Sequence, residues 1–192
     1  PDSLVPHNWY GCETRVEFDL GNSARMTVQR FLEKHLVGLP DTSFIIYDHR
    51  SGEAADFILA QRLPANRLFI ALYHCKAAGG TVSGERVDDV YELAGQAVKS
   101  ARFQRRDDLI RHIERRTQVK PNRGHSRFLV GTRDDALNLV RSYDPIAIQL
   151  SVYAVQPGLS ANGLTENVRA VMAAANDSLA SQGVELRWLV SP

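Results

Sequence analysis

The spacing of apolar positions changes along this chain, and each change marks an element. From Ala24 to Val37, the residues Met26, Val28, Phe31, Leu32 and Leu36 recur at helical spacing, and Gly38 and Pro40 close the run. Gly21-Asn22-Ser23 reads as the turn before it, with Asn22 or Ser23 as N-cap. Phe44-Ile45-Ile46-Tyr47 and Ala54 to Ala60 then read as the strands of a hairpin, joined by the polar turn Asp48-His49-Arg50-Ser51-Gly52. After a second turn at Leu63-Pro64-Ala65-Asn66, Leu68 to Tyr73 is almost continuously apolar, as in a strand covered on both faces. One helix is thus followed by a three-strand meander.

Ala-Ala-Gly-Gly-Thr after Lys76 reads as a loop, and helical spacing returns from Val87 to Ala101. There Val87, Val90, Tyr91, Leu93, Ala94, Ala97 and Val98 form one apolar face. Asp107 to Thr117 predicts another helix, with Leu109, Ile110 and Ile113 inward, and Pro121 to His125 a loop. In the last third, Phe128-Leu129-Val130 and Ile146 to Val155 are strands around a helix at Asp134 to Ser142. A turn at Gln156 to Ser160, an Ala-rich helix at Thr165 to Ser181 and a final strand at Val184 to Val190 follow. Near the start, Arg15 to Leu20 alternates as a short edge strand would. The order predicts an α/β fold, a mixed central sheet with helices on both faces. It reads as one domain: a core over 23–101, a basic helical segment over 102–127 and a β-α-β-α-β extension over 128–192.

Composition narrows the class. The chain has 192 residues, 44% apolar and 23% charged, ordinary for a globular domain with a real core. No apolar run is long enough to span a bilayer and no basic-then-apolar leader opens the chain, so a cytoplasmic protein without a membrane partner is expected. The chain opens on Pro1, which reads as a piece of a larger parent. Cys12 and Cys75 are too few and too far apart for a disulfide framework or a zinc site, and Cys75 reads as a small core residue rather than a nucleophile. The net charge is only +1. Between Arg102 and Arg127, however, Arg102, Arg105, Arg106, Arg111, Arg115, Arg116, Lys120, Arg123 and Arg127 outnumber Asp107, Asp108 and Glu114. A phosphate backbone suits such a stretch, and a solvated helix face would account for it as well.

The candidate chemistry lies between Gly52 and Lys76. His74 and Lys76 share a strand face, and Asp56 on the neighbouring antiparallel strand can meet them. A carboxylate is a ligand for Mg²⁺ or Mn²⁺, and a nearby lysine offsets charge on a phosphate. Gly52-Glu53-Ala54-Ala55-Asp56-Phe57-Ile58, Leu72-Tyr73-His74-Cys75-Lys76-Ala77 and Gly95-Gln96-Ala97-Val98-Lys99 together resemble the PD-(D/E)xK nuclease superfamily, in its RecB-like branch. The resemblance covers residues 23–101. It implies a restriction-endonuclease-like α-β-β-β-α core and a metal-dependent nuclease domain, acting on DNA ahead of RNA, inside a larger helicase-associated or anti-phage protein. Asp56 would bind the metal, with His74, Glu53 and Glu33 as further ligands; Lys76 would hold water and phosphate, and Gln96 would orient it. Lys99, Arg102, Arg105, Arg106, Arg111 and Arg115 would track the nucleic-acid backbone. The departure is His74, where the family carries an acid. A degenerate module of the same fold, binding nucleic acid or docking a helicase without cutting, is the alternative.

Other residues carry weaker signals. Asp48 and His49 read as a turn, and Asp88-Asp89 as carboxylates favoured at a helix start. Glu92 faces either the site or water, and Tyr91 reads as core. His112 and His125 read as core, surface or phosphate contacts. The backbone of Gln156 to Ser160 offers a possible anion site or a plain turn.

Overall fold

The computed structural model describes residues 3–18, 25–48, 52–78, 87–118 and 126–192. Seven strands and five α-helices follow in the order β1 (Leu4–Pro6), α1 (Val28–Val37), β2 (Thr42–Asp48), β3 (Phe57–Leu63), β4 (Arg67–Cys75), α2 (Val87–Ser100), α3 (Arg106–Arg116), β5 (Ser126–Val130), α4 (Arg133–Ser142), β6 (Ile148–Ser160), α5 (Glu166–Ala180) and β7 (Glu185–Ser191). The strands form one mixed sheet in the order β1-β7-β6-β4-β3-β2-β5. β4 is the divide. On one side β3, β2 and β5 pair antiparallel; on the other β6, β7 and β1 run parallel to it. A tight turn suffices between antiparallel neighbours, and Ala65 and Asn66 supply it with left-handed φ of 58° and 53°. Parallel neighbours need crossovers, which α2 to α4 and then α5 provide.

β4 is buried on both sides, as its unbroken apolar run requires. Leu68, Ile70 and Leu72 join a core with α2, α3, α4 and α5. Ala71, Tyr73 and Cys75 join a second core with α1 and Trp9. The sheet is therefore covered by four helices on one face and by α1 with the N-terminal segment on the other. Trp188, the largest fully buried side chain, anchors β7 beneath α5 by donating its indole N–H to Asn176 Oδ1 at 3.0 Å. Among the described residues no helix is long and apolar enough to cross a membrane.

Several local readings change. The helix expected from Ala24 begins at Val28, and its N-cap is Thr27, whose Oγ1 accepts from the Arg30 amide. Asn22 and Ser23 lie outside the described residues. Residues 15–18 form no ladder strand. The carbonyls of Val16 and Glu17 instead accept the amides of Val28 and Gln29, donors that the first turn of a helix leaves without partners. The turn expected at Gln156 to Ser160 is a continuation of β6, with a register shift between the Gln156–Val190 and Ser160–Ser191 pairs that absorbs Pro157 and Gly158. A Cβ on Gly158 would lie 2.8 Å from the Ala78 Cβ, so this approach requires glycine. Tyr91 is 62% exposed, because it falls off the Val90, Leu93, Ala94, Ala97 stripe that α2 buries. β1 was not visible in the pattern, being three residues long and ending on a proline, as an edge strand tolerates. The tip of the β2–β3 hairpin (49–51), most of the loop after Lys76 (79–86) and the loop at 121–125, with Lys120, Arg123 and His125, lie outside the described residues.

Candidate functional site

The register Phe57↔Tyr73 brings the start of β3 beside the end of β4. Asp56 stands one residue before β3 and is 3% exposed. Its Oδ2 accepts the amide of Cys75 at 2.8 Å, and its Oδ1 accepts Gln29 Nε2 of α1 at 2.6 Å. Gln29 is itself held, since its Oε1 accepts the Tyr47 hydroxyl of β2 at 2.8 Å. Lys76 follows β4, and its amide still donates to Val155 of β6 at 2.9 Å. Its ammonium contacts Glu92 Oε2 of α2 at 2.8 Å and Glu17 Oε2 at 3.9 Å. Partial burial pulls the Lys76 pKa down, but the Glu92 hydrogen bond and the charges of Glu17, Glu92 and Asp89 outweigh it, and the net shift is upward. Lys76 is thus a fixed cation at neutral pH and no general base. Burial pushes the Cys75 thiol well up, and the charges of Asp56, Glu17 and Glu53 add to that shift.

His74 is placed differently from the sequence expectation. It is buried against α2, with Nε2 2.7 Å from Ser100 Oγ. That hydroxyl also lies within hydrogen-bond distance of the Ala54 and Gln96 carbonyls, which can only accept, so its single proton goes to one of them. His74 therefore donates through Nε2–H, and Nδ1 is left as a buried acceptor with no protein partner. Burial lowers its pKa to about 4, against a smaller upward pull from Asp56, so the ring is neutral. Gln96 lies half-buried one turn beyond Glu92 on α2, and Glu53 is half-buried in the segment leading to β3. Glu33 is drawn elsewhere: its Oε2 meets Arg127 Nη2 at 2.8 Å, and that guanidinium stacks over Tyr47.

A second polar centre was not anticipated. Asp48 is fully buried, correcting its reading as an exposed turn. Its Oδ1 accepts from Arg116 Nε and Ser126 Oγ, both at 2.5 Å, and its Oδ2 accepts from the Ala54 amide at 3.1 Å and faces His112 Nε2 at 2.6 Å. Burial alone would raise its pKa; the bonds from His112, Ser126 and Arg116 outweigh burial and hold it low. The period of β2 carried a usable signal, since Phe44, Ile46 and Asp48 share a face and the first two lie in the core with α2 to α5.

The basic residues separate. Arg102, Arg111 and Arg115 line one cavity of about 500 Å³ beside α3. Arg106 instead donates to the Tyr143 carbonyl at 3.0 Å, while Arg105 and Lys99 are exposed. Among the described residues no group of three or more His, Cys, Asp or Glu stands at metal-holding spacing. No protein-family model, curated protein or solved structure matches the chain. What is established is a mixed α/β fold with two polar centres, one at the end of β4 and one between β2 and α3.

Proposed function

We propose that the end of β4 hydrolyses phosphodiester bonds of nucleic acid, DNA before RNA, with Asp56 and Lys76 as the working pair. The observation that carries this reading is a buried, doubly oriented carboxylate held by the Cys75 amide, next in the chain to a lysine held cationic by Glu92 and Glu17. The element order α1-β2-β3-β4-α2 supports it, as does β6, which follows α3, β5 and α4 and runs parallel to β4. A helicase-type neighbour in a larger protein belongs to the same reading.

The donor set fits a hard divalent cation, Mg²⁺ or Mn²⁺, through carboxylate oxygens. The Asp56 carboxylate is held in place by the Gln29 amide group and the Cys75 amide. Asp56 would hold the ion, with water completing its shell; His74, committed to Ser100, and Glu33, committed to Arg127, would not. Such an ion would polarise the phosphate and acidify water. The chain's own residues do the rest. Gln29 and the Cys75 amide fix the carboxylate plane. Glu92 holds Lys76 ready until phosphate competes for it. Water adds to phosphorus and gives its proton to bulk solvent, the bond from phosphorus to the sugar oxygen breaks with that oxygen taking a proton from solvent, and Lys76 offsets the charge on the phosphoryl oxygens.

The test is incubation of labelled single- and double-stranded DNA and RNA with Mg²⁺, Mn²⁺ or EDTA, beside Lys76→Ala and Asp56→Asn. Metal-dependent cleavage should fall about 100-fold or more in each variant. A second reading, a nucleic-acid module that does not cut, draws on the inward, neutral His74 at the family's acid position. It predicts salt-sensitive binding with no cleavage under any metal, and that result would end the hydrolytic reading.

A further inference from the structure

We propose that the cavity between the 3-10 turn Ala101–Gln104 and α3 is a separate binding pocket for a phosphate group carried on a nucleotide-sized ligand. Its volume of about 500 Å³ falls within the range of small-molecule sites and far exceeds what one inorganic phosphate needs. Arg102, Arg111 and Arg115 line it, with Asp108 and Glu114 among the other walls. The acids are already neutralised: Asp108 pairs with Arg111 at 2.5 Å, and Glu114 pairs with Arg141. Two guanidinium charges are left over. Arg115 reaches only neutral acceptors, the Gly52 carbonyl at 3.4 Å and His112 Nδ1 at 3.5 Å, and Arg102 rests over the Phe103 ring at 4.6 Å. Among the described residues neither meets a carboxylate. A concave site with a surplus of planar, five-donor cations is complementary to a phosphate.

The wall is built rather than incidental. His112, 3% exposed, is fixed with Nε2 2.6 Å from Asp48 Oδ2, and its Nδ1 faces Arg115 Nη2 at 3.5 Å, where a guanidinium can only donate and Nδ1 accepts. Guanidinium donors next to one imidazole acceptor match a ligand that offers both phosphate oxygens and a hydroxyl. Two sources share that chemistry: a free nucleotide and the 5′-phosphate end of a strand. The pocket needs no cleavage at β4, so it stands or falls apart from the hydrolytic reading.

The experiment measures binding in EDTA by fluorescence anisotropy and calorimetry. The probes are a 5′-phosphorylated oligodeoxynucleotide, its 5′-hydroxyl twin, adenosine monophosphate and inorganic phosphate. The strand-end source predicts at least tenfold tighter binding of the phosphorylated oligonucleotide than of its twin. The nucleotide source predicts saturable binding of adenosine monophosphate instead. In either case Arg115→Ala and Arg102→Ala each lose about tenfold, while Arg169→Ala binds as the parent does. Circular-dichroism melting confirms that the variants fold, and Arg115→Lys gives a milder loss. Equal affinity for both oligonucleotides with no nucleotide binding overturns the proposal, as does binding indifferent to Arg115 and Arg102.

Discussion

His74 and His112 are both 3% exposed, both on the side of the sheet covered by α2 to α5, and both donate through Nε2. Their partners differ in kind. Ser100 Oγ gives His74 a neutral acceptor, so burial governs the ring and its pKa drops to about 4. Asp48 gives His112 a buried carboxylate that also holds Arg116 and Ser126. One histidine is a tether between β4 and α2; the other belongs to an ionic node joining β2, α3 and β5. Burial alone does not define what a histidine does. The charge of the group its proton reaches defines it.

The largest expected effect tests that contrast. Asp48→Ala leaves Arg116 without its buried carboxylate and should cost about 3–5 kcal/mol, read from urea unfolding. A loss below about 1 kcal/mol would show that the node is not ionic. The next effect is in pH. The folded pKa of His74 lies below the ordinary 6.5, so the unfolded chain binds more protons between those values. Stability from this group is therefore full above pH 6.5 and declines as pH falls toward 4, by roughly 1–3 kcal/mol. His74→Gln should flatten that part of the curve of melting temperature against pH; an unchanged slope would remove His74 as its source. Thr27→Ala, outside both centres, removes the α1 cap and should cost about 1 kcal/mol. Smallest is Lys76→Ala, which gives up an ion pair a quarter exposed on the lysine side and should change stability by under about 1 kcal/mol. Near-parental melting with cleavage lost would mark the β4 end as a place kept for chemistry.

Legibility followed the range of the interaction. Phe44 to Tyr47, Leu68 to Tyr73 and the α2 stripe carry their periods locally, so the strand-and-helix order could be read. That Asp56 would stand beside the end of β4 was readable because a tight hairpin fixes the register of the two strands. Glu17 could not be found that way; it reaches Lys76 from a segment whose alternation reads as an edge strand but whose described residues pair with no strand. Gln156 to Ser160 carries the turn residues Pro157 and Gly158, yet pairing with Val190 and Ser191 holds it extended. Asp48 looked like the tip of a turn because His112, Arg116 and Ser126 lie 64, 68 and 78 residues away in the chain.

Those separations bear on the order of folding. Closing such loops costs entropy before any contact offsets it. The β3–β4 hairpin can close early, whereas the Asp48 node waits until α3 and β5 have reached the sheet. Interactions made after the transition state act on the unfolding rate. In a chevron plot, Asp48→Asn should therefore steepen escape from the native state while leaving the refolding limb near that of the parent; a slowed refolding limb would place the node in the nucleus instead.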